Sequence, residues 1–223
     1  MKMVKKQGGF TLVEIAIVLV IVGLLLAGVL KGQELIESSR IRAAVSELNS
    51  VTAANNAYID RFRAAPGDDG PTLATLTARG GPWLTITAFG NLNGALLSTP
   101  AQTVLPTLES LAFWQHLRAA GFISGSPATI GVGALPNNSF GGLTGVVGPA
   151  AAITGANGRS VCMTQVPGKA ARAIDTQLDD GVPLTGDVRA TLAVVGVNTP
   201  PAAAPVAGTL YVDGSFYTVC KTM

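Results

Sequence analysis

From Phe10 to Leu30 the chain reads FTLVEIAIVLVIVGLLLAGVL, an apolar run with one charge, Glu14. Wound as a helix it measures about 31 Å, enough to cross the hydrocarbon core of a bilayer. The pattern then changes without punctuation. No proline occurs before Pro66. Ile41, Val45, Leu48, Val51, Tyr58, Ile59 and Phe62 recur at three- and four-residue spacing on one broad face. Glu34, Glu37, Arg40, Arg42, Glu47, Asp60 and Arg61 supply charge elsewhere. This spacing predicts one helix over residues 10–62, about 80 Å long. Its first half is apolar all round and its second half is amphipathic.

The segment Ala64-Ala-Pro-Gly-Asp-Asp-Gly-Pro71 ends that pattern with two prolines, two glycines and two acids, a turn signature. Residues 71–103 read mostly as loop, with a strand over Trp83–Phe89 by alternation. Residues 107–120 predict a second helix, capped by Thr107, ended by Gly121, and apolar through Leu108, Leu111, Ala112, Trp114 and Leu117. Residues 124–158 read as loop with short strands. A strand over 160–166, a short helix over 169–178 and a strand over 187–195 follow. Residues 209–219 read as a hairpin around Asp213-Gly214. Strands after helices predict an α+β fold, an antiparallel sheet packed on the amphipathic half of the long helix.

Composition narrows the class. The chain of 223 residues is 48% hydrophobic and only 13% charged, which excludes a charge-dominated disordered chain. Lys+Arg is 15 and Asp+Glu is 13. A net charge of +2, with Arg61, Arg63 and Arg79 too sparse for a basic stripe, gives no basic field for nucleic acid and a solvated face as their default. Three of the basic residues are Lys2, Lys5 and Lys6. Basic residues ahead of an apolar run keep that end cytoplasmic, so the remainder faces outward. Cys162 and Cys220 would be reduced in an intracellular protein; export makes a disulfide between them the expectation. Two cysteines and one histidine, His116, do not make a zinc site or a catalytic triad, so no metal, cofactor or enzyme activity is expected. His116 reads as structural or surface. Asp68-Asp69 and Asp179-Asp180, each before glycine, have oxygen ligands of the kind calcium takes, but the spacing is not that of an EF-hand and turn roles are the simpler reading.

A secretory signal shares the basic start and apolar run, but it needs a break where this pattern continues as helix. Glu14 is costly within an apolar span, roughly 3 kcal/mol unless neutral or paired. It is either an interfacial charge at the membrane edge or a partner for a charge on another subunit.

Lys5-Lys6-Gln7-Gly8-Gly9 followed by Phe10-Thr11-Leu12-Val13-Glu14 resembles the class III leader of type IV prepilins and pseudopilins. The resemblance covers about forty residues from the start. The phrases FWQHLRAAG and IDTQLDDGVPLTG, further on, also resemble ones found in bacterial pilin-like proteins. The resemblance implies cleavage between Gly9 and Phe10 by prepilin peptidase and N-methylation of Phe10. It implies pairing of Glu14 with the Phe10 amine of a neighbouring subunit, and a disulfide, Cys162–Cys220, tying the C-terminal region. The implied organisation is a cleaved leader (1–9), a membrane or filament-core helix (10–30), its amphipathic continuation (31–63) and an exported pilin domain (64–223). The implied partners are prepilin peptidase, the inner membrane, the pilus assembly machinery and other pilin subunits. The implied locations are the bacterial inner membrane, then a periplasmic or cell-surface filament. The implied function is a structural subunit of a type IV pilus or pilus-like filament. The alternatives are a pseudopilin of a type II secretion system, or an exported binding module or enzyme on an ordinary signal anchor. Pilins often carry a proline late in the apolar run; here only Gly23 and Gly28 interrupt it.

Overall fold

The structure, a computed structural model, describes residues 11–149, 158–202 and 210–223. It divides into two compact units, one ending at Ser39 and the other running from Arg40. Helix α1, Leu12–Phe62, contributes to both. In the second unit α1 buries Ile41, Ala44, Leu48, Val51, Ala54, Asn55 and Tyr58. Val45 and Phe62 are partly buried against the same core. The small members, Ala44 and Ala54, lie on this seam although their hydrophobicity marks no face by itself.

The seam packs on an antiparallel sheet of four strands ordered β1-β2-β4-β3, which are Thr144–Val147, Ser160–Pro167, Phe216–Thr222 and Val188–Ala193. The protein is therefore α+β, as the order of helices and strands predicts. Alternation divides the sheet's side chains. Val161, Met163, Val188, Ala190, Tyr217 and Val219 join the core with α1. The other face carries Thr164, Thr191, Thr218, Cys162 and Cys220, and the chain after β3 covers it. Thr218 donates to Thr199 O at 2.5 Å, Thr191 accepts from Ala202 N–H at 3.2 Å, and Thr164 donates to Asn198 Oδ1 at 2.6 Å. Between Met163 and Val166 two residues of β2 oppose one of β4, a bulge with Gln165 at φ 61°.

Helix α2 (Leu73–Thr77), α3 (Leu108–Ala119) and α4 (Gly168–Leu178) complete the regular structure among the described residues, with 3₁₀ turns at Gly81–Thr85, Pro100–Thr103 and Gly131–Ala134. Three sequence expectations fail here, each for a nameable reason. Trp83–Phe89 is not a strand. It starts as a 3₁₀ turn, and its extended end bonds to side chains rather than to another strand: Gln115 Oε1 accepts the N–H groups of Thr87 and Ala88 at 2.9 and 3.0 Å. Residues 210–219 are not a hairpin. Asp213-Gly214 does turn, but the Tyr211 carbonyl accepts from the Arg172 guanidinium at 2.6 Å and Val212 N–H donates to the Tyr217 hydroxyl oxygen at 2.9 Å. Thr209 lies outside the described residues. Leu108 and Leu111 are not the buried side of α3. Leu108 is 72% exposed at φ 50°, whereas Glu109, Gln115 and His116 are buried.

Candidate functional site

The unit ending at Ser39 is the first part of the site. Every α1 side chain from Leu12 to Leu30 is exposed. This is a helix apolar on all sides, long and apolar enough to cross a membrane. A Cβ built on Gly23, Gly28 or Gly32 meets nothing within 4 Å, and the helix is unbroken through all three. Lys31 and Glu34 form an exposed ion pair at 2.9 Å where the apolar run ends.

At the other end stands Glu14. Its Oε2 accepts Thr11 N–H at 2.7 Å and the Thr11 hydroxyl at 2.8 Å, and Glu14 N–H lies 3.3 Å from Thr11 Oγ1. This is a capping box: the threonine and the glutamate satisfy each other's otherwise unpaired N–H groups. The Thr-x-x-Glu spacing is legible in the sequence, so Thr11 is a site residue that attention to Glu14 alone passes over. The box places the carboxylate at the positive end of the helix dipole, which lowers the cost of a charge there. Gly9 and Phe10 lie outside the described residues.

The second part of the site is the anchorage of α1 in the unit from Arg40. Arg63 adopts φ 56° just after the helix, and Pro66–Gly70 then turns back and is buried. A Cβ on Gly67, at φ 90°, would come 2.7 Å from the Glu109 carbonyl, so only glycine fits. The two acids of this turn are spent on local bonds rather than facing outward. Asp68 accepts Asn93 N–H at 3.1 Å and Gly94 N–H at 2.8 Å. Asp69 Oδ2 accepts the Tyr58 hydroxyl at 2.6 Å and pairs with Arg79 at 2.8 Å. Arg79, though still partly exposed, is thus tied down, and it also lies over the rings of Phe62 and Trp83, 4.7 and 4.6 Å from their centroids. Burial, then Asp69, holds the Tyr58 hydroxyl far above its ordinary pKa.

His116 ties α3 to the same turn. Its Nδ1 accepts Gly67 N–H at 3.2 Å and its Nε2 faces the Ala88 carbonyl at 3.4 Å. A neutral ring protonated on Nε2 satisfies both contacts. Burial pushes its pKa down to about 4. The structural reading of this histidine holds.

Cys162 and Cys220 face each other across β2 and β4 and are joined, with Cα atoms 4.0 Å apart. The bond fixes the last strand to the sheet. In a different corner, Asp175, Asp179 and Asp180 each bring an oxygen within 4.8 Å of the others. Their donors come from the loop itself and its neighbours: Gly181 N–H and the Tyr211 hydroxyl for Asp175, Val188 N–H for Asp179, and Val182 N–H and the Thr185 hydroxyl for Asp180.

Residues 4–30 match the prokaryotic N-terminal methylation motif. This is the class III signal, characteristic of type IV prepilins and pseudopilins, and the long helix on an antiparallel sheet is pilin-like architecture. The motif supports a pilin or pseudopilin subunit, a structural class of protein, and with the apolar helix it fits a membrane-anchored prepilin. Such a leader implies processing by prepilin peptidase and assembly with other pilin subunits. No curated protein matches the chain.

Proposed function

We propose that the chain is a structural subunit of a type IV pilus or pilus-like filament. The observation that carries this reading is a methylation motif over residues 4–30 running into a helix exposed on every face from Leu12 to Leu30. A leader ending at Gly9 is removed by prepilin peptidase, and the amine of Phe10 is methylated. Removal takes away Lys2, Lys5 and Lys6, whose charges resist withdrawal through the bilayer. The domain from residue 64 is exported, and residues 10–30 pass from the inner membrane to the filament core.

Glu14 then exchanges one partner for another. In the monomer it is held by Thr11; in the filament it meets the Phe10 amine of a neighbouring subunit. An amine–carboxylate contact in apolar surroundings stabilises weakly but sets register well. Glu14→Ala tests this step. Membrane insertion and folding of the exported domain stay intact, insertion improving slightly as a charge leaves the span, while filament yield collapses. Normal yield would return Glu14 to the interfacial and capping roles.

A further inference from the structure

Asn93 and Gly94 are exposed, in a loop bonded to the turn after α1. Their N–H groups donate to the two carboxylate oxygens of Asp68, Asn93 to Oδ1 at 3.1 Å and Gly94 to Oδ2 at 2.8 Å. Leu92 N–H donates to the Asp68 carbonyl at 2.9 Å. Asp68 itself is only 2% exposed. The Asn93 side chain is held at one atom: its Oδ1 accepts Ala95 N–H at 2.9 Å. Its Nδ2 makes no hydrogen bond among the described residues.

These contacts surround an asparagine amide and the backbone nitrogen that follows it, two groups whose joining closes a five-membered ring. An amide nitrogen attacks only as its proton departs. A hydrogen bond from that N–H ordinarily holds the nitrogen back. Here the acceptor is a carboxylate, a base within the reach that proton abstraction needs. Ala95 N–H points at the oxygen on which negative charge develops when Cγ is attacked. The leaving amide is tied to nothing. Gly94 has φ 83°, and a Cβ built on it meets nothing within 4 Å, so no neighbour crowds the ring.

We propose that Asn93-Gly94 is a self-modification site, at which Asp68 acts as general base for conversion of Asn93 to aspartate and isoaspartate. The Gly94 nitrogen bonds to Asn93 Cγ while its proton passes to Asp68. The Cγ–Nδ2 bond then breaks, and ammonia leaves with that proton. The resulting succinimide takes up one water at either carbonyl and opens to aspartate or isoaspartate. No oxidant or reductant takes part. Aspartate sets a second negative charge close to buried Asp68, and isoaspartate lengthens the backbone where Leu92, Asn93 and Gly94 bond to it. Either product loosens the loop from the turn that anchors α1.

The test uses the full chain in detergent micelles, aged at neutral pH in heavy-oxygen water. Conversion is read from the heavy oxygen gained by the peptide spanning residues 90–97, and isoaspartate from its labelling by isoaspartyl methyltransferase. The folded chain should convert Asn93 at least about tenfold faster than the same chain unfolded in urea, the low end of what a placed base supplies. Its rate should also rise less steeply with pH, because Asp68 and not hydroxide takes the proton. Asp68→Asn keeps the shape without the base and should slow the folded chain by roughly tenfold. The comparison of folded with unfolded chain stands whether or not that variant folds. A folded rate equal to or below the unfolded one, parallel pH dependence in the two states, or a folded Asp68→Asn variant as fast as the unaltered chain would overturn the proposal.

Discussion

His116 carries a proton balance that can be read from its two contacts. A second ring proton would sit on Nδ1, facing the N–H of Gly67 that Nδ1 now accepts. Burial above all keeps the folded ring unprotonated until about pH 4, whereas the unfolded chain accepts the proton near the ordinary value of 6.5. Above 6.5 the ring is neutral in both states and adds no pH dependence. Between 6.5 and about 4 the unfolded chain binds the extra proton, and stability falls by up to about 3 kcal/mol. Glu109 and Asp175 act oppositely. Burial raises both carboxyl groups, so the folded chain binds their protons more readily and gains stability as pH falls. His116→Gln isolates the ring, since an amide can keep both contacts without titrating. Its urea midpoint should change less than that of the unaltered chain between about pH 7 and about pH 4.5. Equal changes in both would remove the ring as the source. Asp69 yields a second expectation. Asp69→Ala strips the acceptor from both Tyr58 and Arg79, one buried and one half-exposed, and should cost about 3 kcal/mol. A denaturation shift below about 1 kcal/mol would mean that the pair behaves as a surface salt bridge.

Among the elements, β4 is held most firmly. It pairs with strands on both sides and is bonded through Cys220 to Cys162 on β2. The disulfide closes a separation of 58 residues, for which the chain-entropy model gives about 4 kcal/mol. Cys162→Ser, Cys220→Ser and the double variant should share one lowered midpoint, because each removes the same link. A double variant clearly less stable than either single would show that the sulfurs also contribute separately by packing. Elements whose backbone bonds form a regular ladder were legible: α1, α4, β2 and β3 follow from periodicity and turn residues. Those that were not have a common cause. The extended backbone at Thr87 and Ala88 bonds to Gln115, and that at Tyr211 and Val212 bonds to Arg172 and Tyr217. Alternation marks such stretches as strands, but their partners are side chains distant in sequence or beyond the turn. The Thr11–Glu14 cap was legible from spacing; the placement of Arg79 was not, because its ring and carboxylate partners are united only by the turn after α1.

At the scale of the whole molecule, two units share one helix and divide the work. The apolar unit leaves every side chain from Leu12 to Leu30 without cover, a state that water does not tolerate and that a bilayer or neighbouring helices relieve. The unit from Arg40 buries its share of α1 in a core and closes its sheet with a disulfide, in keeping with an oxidising compartment. The most direct measurement is the intact mass of the chain recovered from cells, with fragmentation of its N-terminus. A chain beginning at Phe10 that carries one added methyl group on its amine is expected, and a bulky replacement of Gly9 should leave the lysine-bearing precursor in the membrane. A chain that keeps its leader when prepilin peptidase is present, or one cut after Ala27 or later, would contradict this.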